Sequence, residues 1–171
     1  MSVLKQTGSN LVLIGMPGAG KSTVGVVLAK NLGYHFLDSD LCIQEAENRL
    51  LHEIIAEDGL DGFLQIENRI NASLTVEKSV IATGGSVVYG KEAMEHLGKI
   101  GTIVYLRLPY EEIENRLGDL TKRGVALKKG QTLQDLYEER VPLYERYAHV
   151  IIDCNGKMIR DIVAEISQKI I

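Results

Sequence analysis

One eight-residue segment constrains the possible folds of this chain more than any other: residues 15–22, with the sequence GMPGAGKS. It follows a short apolar run at 11–14 and leads into a helix-forming segment that ends near residue 32. The spacing G-x-x-x-x-G-K-S between a strand and a helix is typical of a phosphate-binding loop. Its glycines let backbone N–H groups converge on an anion, and the positive end of the helix dipole points to the same place. A turn that only reverses the chain would not need the Lys-Ser pair, so the pattern predicts a nucleoside triphosphate site.

The side chains of this loop have distinct expected roles. Lys21 is placed to reach the β- and γ-phosphates of the nucleotide, and the hydroxyl of Ser22 to ligate Mg²⁺. The residues expected to bind the nucleotide are Gly18, Ala19, Gly20, Lys21, Ser22 and Thr23.

Length and composition narrow the class of protein. The chain has 171 residues, 45% of them hydrophobic, and a net charge of −4 at pH 7. This size suits one domain over 1–171 with a substantial core, and the slight acidity argues against nucleic acid as a partner. No apolar run approaches the roughly 20 residues of a membrane span. The polar N-terminus lacks the core of a signal peptide, so we expect a cytoplasmic protein.

Short, wholly apolar runs alternate along the chain with longer segments of helical periodicity. Strands are expected at 11–14, 34–37, 80–82, 102–106 and 150–152, and helices at 22–32, 41–47, 51–57, 61–76, 91–97, 109–117, 133–147 and 157–170. Strands without a polar face imply a parallel sheet that is covered on both sides. The pattern predicts an α/β fold, a three-layer α/β/α sandwich around a five-stranded parallel sheet, with ligands at the carboxyl ends of the strands.

Two aspartates, Asp38 and Asp40, follow the second predicted strand. Residues two apart at a strand end project to the same side, so both carboxylates are able to face the phosphate loop. One would hold the hydration shell of Mg²⁺, and the other would accept the proton of an attacking hydroxyl. The alternative is an N-terminal helix cap, for which both residues are well suited. The two interpretations are compatible.

Three further segments have both a functional and a structural interpretation. Gly84 and Gly85 end another predicted strand, where backbone without side chains either admits a ligand or forms a plain turn. The basic segment 118–131, which contains Arg123, is either a mobile lid that closes over the phosphates or a solvated loop. Arg140 would either clamp a substrate anion or pair with a glutamate nearby on its own helix.

The reaction class follows from what accompanies the phosphate loop. A GTPase would carry an N-K-x-D segment that reads guanine, and the chain has none. The length argues against a motor or transporter subunit, and the acceptor side has too few arginines for a nucleotide acceptor. A kinase that phosphorylates small alcohols remains. The alternative from a different class is a nucleotide-binding regulator without catalysis.

The motifs, in this order and spacing, resemble those of the shikimate kinase family over nearly the whole chain. The resemblance rests on the phosphate loop, the two aspartates, F-x-x-x-E at 63–67, the two glycines and R-x-P-L-Y at 140–144. It implies a P-loop, nucleoside-monophosphate-kinase-like fold that transfers the γ-phosphoryl group of ATP, with Mg²⁺, to a ring hydroxyl of shikimate in aromatic amino acid biosynthesis. It also implies a monomer with substrate-binding helices at about 41–76 and a lid at about 118–131.

The resemblance further implies a role for each site residue. Lys21, Asp40 and Arg123 would be catalytic, with Asp40 as base or orienter at the reacting hydroxyl and Arg123 as the lid arginine. Ser22 would bind Mg²⁺ and Asp38 would support it through water. Arg116 would pack on the adenine, and Arg140 would bind the substrate carboxylate. The residues expected to meet the acceptor are Asp40, Leu64, Glu67, Gly84, Gly85 and Arg140.

Three positions depart from the family pattern. The G-E-x-x-F-R-x-x-E motif has Leu60 in place of its glutamate and Leu64 in place of an arginine that helps grip the substrate carboxylate. The third glycine of G-G-G is Ser86, and R-G-V-A-L from Arg123 onward replaces the lid sequence R-P-L-L. Loss of one charge-assisted hydrogen bond, worth about 1.5–3 kcal/mol, would weaken the binding of shikimate. Without that arginine, Glu67 would be free to bind a substrate hydroxyl or amine. Two acceptors stay open: shikimate, with another group in place of the arginine, or a different small alcohol.

Overall fold

The computed structural model describes residues 8–118 and 127–170. In chain order the elements are β1 (Asn10–Ile14), α1 (Lys21–Leu32), β2 (His35–Asp38), α2 (Ser39–Glu47), α3 (Leu51–Ala72), β3 (Ser79–Ala82), a short 3-10 helix (Val87–Tyr89), α4 (Lys91–Ile100), β4 (Gly101–Arg107), α5 (Tyr110–Leu117), α6 (Leu133–Tyr147), β5 (Val150–Asp153) and α7 (Ile159–Ile170). Within these two ranges, each helix is too short or too polar to cross a membrane.

The five strands form one parallel sheet in the order β2-β3-β1-β4-β5. β1 and β3 are buried along their whole length, and β4 is buried up to its last residue. Burial of both faces requires helices on each side of the sheet. Accordingly, α1 packs with α7 and α3 packs with α4. The α/β fold with a five-stranded parallel sheet, predicted from the apolar runs, is confirmed.

The side chain of Asn10 links neighbouring strands at the end of the sheet where the central strands begin. Asn10 is buried, and its amide nitrogen donates to the carbonyls of Val76 and Ile100 at 2.7 and 3.0 Å. Its amide oxygen accepts the backbone N–H of Ser79 at 3.0 Å. The first residue of β1 is thereby joined to the segments that enter β3 and β4, and the buried amide is satisfied as such groups must be.

The segment α3 is divided as the periodicity predicts. Helices are expected at 51–57 and 61–76, and the helical segment Leu51–Ala72 is interrupted at Gly59, whose φ of 76° and ψ of 173° are not helical, and ends four residues earlier than expected. Glycine adopts such a positive φ without steric cost. Both halves of the kinked helix contribute to a small core with α2, which is separate from the core around the sheet. Its buried side chains are Ile43, Ile54, Phe63 and Ile70.

Candidate active site

A cavity of about 790 Å³ lies beyond the carboxyl ends of β1, β2 and β3, where ligands of open α/β sheets bind. We call the wall formed by residues 17–23 the nucleotide side. The acceptor side is the opposite wall, which includes Asp40, Glu67, Ser86 and Arg140. The cavity therefore joins the predicted nucleotide site to most of the predicted acceptor residues.

The phosphate loop has the shape of an anion cradle. Gly18 and Gly20 have φ values of 82° and 92°, and a β-carbon at Gly20 would meet nothing within 4 Å. α1 begins directly after Gly20, so Ser22 and Thr23 lie in its first turn and line the cavity. Ala19 is buried behind the loop. Because the first N–H groups of a helix have no partner within it, this open space fits a phosphate group.

Lys21 is buried at the base of this cradle. Its Nζ donates to the carbonyl of Gly15 at 2.5 Å and to that of Met16 at 3.0 Å. Burial lowers the pKa of Lys21 to about 8, although the negative charge of Asp40 opposes this change. A phosphate bound in the cradle would favour the charged form of the lysine, since a nearby negative charge stabilises it.

The two aspartates have different surroundings. Asp38 is the N-cap of α2, and its Oδ1 accepts the backbone N–H of Asp40 at 2.9 Å, so the capping interpretation is confirmed. Asp40 lines the cavity, and its Oδ1 is buried without a hydrogen-bond partner among the described residues. Burial, followed by the charge of Asp38, raises the pKa of Asp40. A raised pKa makes the Asp40 carboxylate a stronger base.

Glu67 is more deeply buried than Asp40, with 2% of its surface exposed. Its Oε1 accepts the hydroxyl of Ser86 at 2.7 Å, and its Oε2 has no partner in the part of the chain that the structure describes. A β-carbon at Gly84 would lie 2.8 Å from Asp40 Oδ1 and 3.0 Å from Glu67 Oε2. The two unpartnered oxygens thus face the same point. Burial raises the pKa of Glu67 to about 7, against the lowering effect of the Ser86 hydrogen bond.

Arg140 projects from α6 into the cavity wall and is 3% exposed. Its Nε donates to the hydroxyl of Tyr89 at 3.3 Å, and its guanidinium carbon lies 5.4 Å from the centre of the Tyr89 ring. Glu139, one of the glutamates expected as its partner, instead accepts the hydroxyl of Tyr89 at 2.6 Å. No ion pair between described residues includes Arg140. The structure therefore supports the anion-binding interpretation over pairing with a glutamate.

Gly85 allows the glycine turn to approach Arg140 closely. A β-carbon at Gly85 would lie 2.8 Å from Arg140 Nη1 and 2.8 Å from the ring of Pro17. The carbonyl of Gly85 accepts the hydroxyl of the buried Tyr144 at 2.6 Å. Sequence reasoning missed the supporting roles of Tyr144 and Tyr89, because a tyrosine that holds a distant group leaves no periodic signal in the sequence.

Leu64 does not line the large cavity, in contrast to the other predicted acceptor residues. It faces an adjoining cavity of about 100 Å³, whose walls also include Leu60, Tyr89, Lys128 and Arg140. Lys128 pairs there with Glu139 at 3.7 Å. An apolar side chain therefore occupies the position of the replaced arginine, in a cavity that Arg140 also lines.

Two arginines, Arg116 and Arg123, were predicted to serve the nucleotide. Arg116 donates through Nη1 to the carbonyl of Gly18 at 3.1 Å and through Nε to Glu112 at 3.0 Å. This contact places Arg116 beside the phosphate loop, and its packing on adenine stays a prediction. Arg123 and most of the expected lid lie outside the described residues, although Leu127 at the end of that segment lines the large cavity.

Together, the fold and the site define a class of protein. A parallel sheet carries a phosphate loop at the carboxyl end of its central strand, and one cavity joins that loop to a carboxylate with a raised pKa. This combination is that of a P-loop kinase that acts on small molecules.

Comparison with known proteins agrees with this class. The shikimate kinase family model matches residues 17–171. A shikimate kinase from Nostoc punctiforme is 42% identical, over 99% of this chain and 94% of that protein. The structure of shikimate kinase from Acinetobacter baumannii in complex with shikimate has a TM-score of 0.85 and 36% identity, covering 95% of this chain and 93% of that one. The enzyme from Aquifex aeolicus has a TM-score of 0.81 and 29% identity, covering 94% and 95%.

This chain belongs to the shikimate kinase family and is an ATP-dependent kinase. The comparisons thus favour an enzyme over the non-catalytic regulator that the sequence left as an alternative.

Proposed function

We propose that this protein transfers the γ-phosphoryl group of ATP to a ring hydroxyl of shikimate. The observation that carries the proposal is the single cavity in which the phosphate loop faces Asp40 and Arg140. A base and an anion-binding arginine are the groups that an acceptor with a hydroxyl and a carboxylate requires. The likeness to shikimate kinases over nearly the full length supports shikimate rather than a different small alcohol, in spite of Leu64.

On the nucleotide side, the backbone N–H groups of the loop and Lys21 would bind the phosphates of ATP. Ser22 would hold Mg²⁺ with support from Asp38 through water, and this ion would neutralise charge on the phosphate oxygens when bound. Lys21 would stabilise the negative charge that develops on the transferring group. A buried ammonium is effective in this role because water screens it less.

On the acceptor side, Asp40 would accept the proton of the reacting hydroxyl. As the hydroxyl oxygen bonds to the γ-phosphorus, the bond from that phosphorus to the bridging oxygen breaks, and its electron pair leaves with ADP. Arg140, held by Tyr89, would bind the carboxylate and orient the ring. The positioning of both reactants in one cavity supplies much of the rate enhancement in such transfers.

The test is coupled ADP release with Mg-ATP and shikimate, compared with polyols, amino alcohols and a ring analogue without the carboxylate. We expect saturable turnover of shikimate and weak turnover of the analogue. Asp40→Asn should lower kcat by about 10²- to 10⁴-fold, whereas Asp61→Asn at an exposed position of α3 should not. Turnover of another alcohol without turnover of shikimate would refute the assignment of shikimate as the acceptor. The absence of ADP release with every acceptor would refute the proposed kinase activity.

A further inference from the structure

Two of the departures from the family pattern converge on one carboxylate, that of Glu67. Leu64 replaces the arginine that Glu67 would otherwise orient. Ser86 replaces a glycine and adds a hydroxyl whose oxygen lies 2.7 Å from Glu67 Oε1. Ser86 is itself buried, at 7% exposure. A buried hydrogen bond to a carboxylate restrains its orientation more than an exposed one would, because water does not compete for it.

The remaining oxygen of Glu67, Oε2, lies near Gly84, as does one oxygen of Asp40. Oε2 and Asp40 Oδ1 are both buried, both without a partner among the described residues, and both within 3.0 Å of the position of a β-carbon at Gly84. The charged groups that face Glu67 are Asp40 from α2, Arg140 from α6 and Lys21 from α1. Since buried polar atoms in native proteins are nearly always hydrogen-bonded, two such oxygens beside the same glycine indicate a place for a ligand with hydroxyl donors.

We propose that Ser86 is a positioning residue that orients Glu67 in place of the lost arginine, so that Glu67 and Asp40 together bind neighbouring hydroxyls of the acceptor. Asp40 serves the reacting hydroxyl, and Glu67 determines specificity by binding a second one. The identity of the acceptor in this inference rests on the proposed function. An alcohol with a single hydroxyl would leave one buried carboxylate oxygen unpaired, which weakens its binding.

The positioning role is tested first without any acceptor. Carbon-13 NMR of labelled glutamate side chains follows the ionisation of Glu67, with the signal assigned by Glu67→Gln. Ser86→Ala removes a hydrogen bond to the charged form, so the pH midpoint of the Glu67 signal should rise. Ser86→Thr keeps the hydroxyl and should return the midpoint toward that of the unaltered protein. An unchanged midpoint in Ser86→Ala, or an equal rise in both variants, would overturn the proposal.

Kinetics test the specificity role. Ser86→Ala should raise KM for shikimate by about two- to tenfold, as expected for one hydrogen bond, with kcat and KM for ATP nearly unchanged. Hydroxyls donate to an ionised carboxylate, so kcat/KM for shikimate should rise with pH through the Glu67 midpoint. This rise should move to higher pH in Ser86→Ala, and in Glu67→Gln only the rise that belongs to the ionisation of Asp40 should remain. A Ser86→Ala variant that lost ATP and shikimate affinity equally would contradict the assignment.

A double substitution tests whether the effects of positions 86 and 64 depend on each other. With Leu64→Arg in place, an arginine is again available to orient Glu67, so Ser86→Ala should raise KM less than it does in the unaltered protein. An equal cost in both backgrounds would mean that the two positions act independently, against the proposal. If Glu67 responds to Ser86 as expected but shikimate is not turned over, the proposed function fails and the positioning role stands.

Discussion

The two sides of the cavity are built by different means. The nucleotide side uses backbone: the positive φ values of Gly18 and Gly20 and the start of α1 create its shape. The acceptor side uses side chains that other side chains hold, as in the contacts of Ser86 with Glu67 and of Tyr89 with Arg140. A backbone cradle leaves little choice of residue, whereas a side-chain contact is open to replacement by another donor. Leu64 and Ser86 show such replacement on the acceptor side, while the nucleotide motif is intact.

The most severe test of this comparison is Lys21→Met, because Lys21 is the charged side chain at the base of the backbone cradle. We expect kcat to fall by about 10²- to 10³-fold, as for removal of one donor to a developing charge. Lys30→Met, at the exposed end of the same helix, is the matched control. The measurement is coupled ADP release at saturating shikimate. A loss of less than tenfold would mean that the backbone alone stabilises the transferring phosphoryl group.

Arg140→Met removes the cation of the acceptor side. Since a charge-assisted hydrogen bond contributes about 1.5–3 kcal/mol, KM for shikimate should rise by about ten- to hundredfold, with KM for ATP unchanged. Arg146→Met, at an exposed position on the same helix, serves as the control in steady-state assays with each substrate varied. Equal effects on both KM values would contradict the division of the cavity into two sides.

Leu64→Arg adds a cation to the acceptor side, whereas Arg140→Met removes one. A second cation beside Arg140 should lower KM for shikimate by up to about tenfold, because it adds a charge-assisted contact to the carboxylate. Gln65→Arg adds the same charge at an exposed neighbouring position and should have no such effect. If KM stays the same in Leu64→Arg, another group already binds the carboxylate in full.

The smallest expected effect concerns stability. The folded-state pKa of Glu67, about 7, lies above its ordinary value of 4.5, so its neutral form is favoured by folding. Its contribution to stability is present below pH 4.5 and is lost as the pH rises through 7. The Tm of Glu67→Gln should therefore gain a few degrees over that of the unaltered protein between pH 5 and pH 8. If the Tm of both proteins changed with pH in the same way, the environment of Glu67 would be polar. Glu95→Gln, at an exposed position, is the control.

The nucleotide side could be predicted almost completely from the sequence. Its residues lie in one segment, and the physical requirement on each, such as a positive φ at Gly18 and Gly20, acts through the local backbone. The central strands β1, β3 and β4 could be predicted equally well, because burial of both faces leaves continuous apolar runs. The periodicity also separated the two halves of α3 correctly on either side of Gly59.

The acceptor side was predicted in its residues but not in its contacts. Asp40, Glu67 and Arg140 were expected from the motif, whereas Tyr89 lies 51 positions from the arginine that it holds. Ser86 lies 19 positions from Glu67, and Leu64 faces a smaller cavity rather than the main one. Such neighbours are decided by how strands and helices are placed in space, which the spacing of residues along the chain does not encode.

The amide of Asn10 has a consequence for how this protein is able to diverge. Its hydrogen bonds join β1, β3 and β4 at the end of the sheet farthest from the cavity. The contacts of Asn10 and the cavity therefore lie at opposite ends of the same strands. Substitutions on the acceptor side, at the other end of these strands, therefore need not disturb the hydrogen bonds of Asn10. Under the proposal made above, the exchange of one partner of Glu67 for another does not require a more stable sheet.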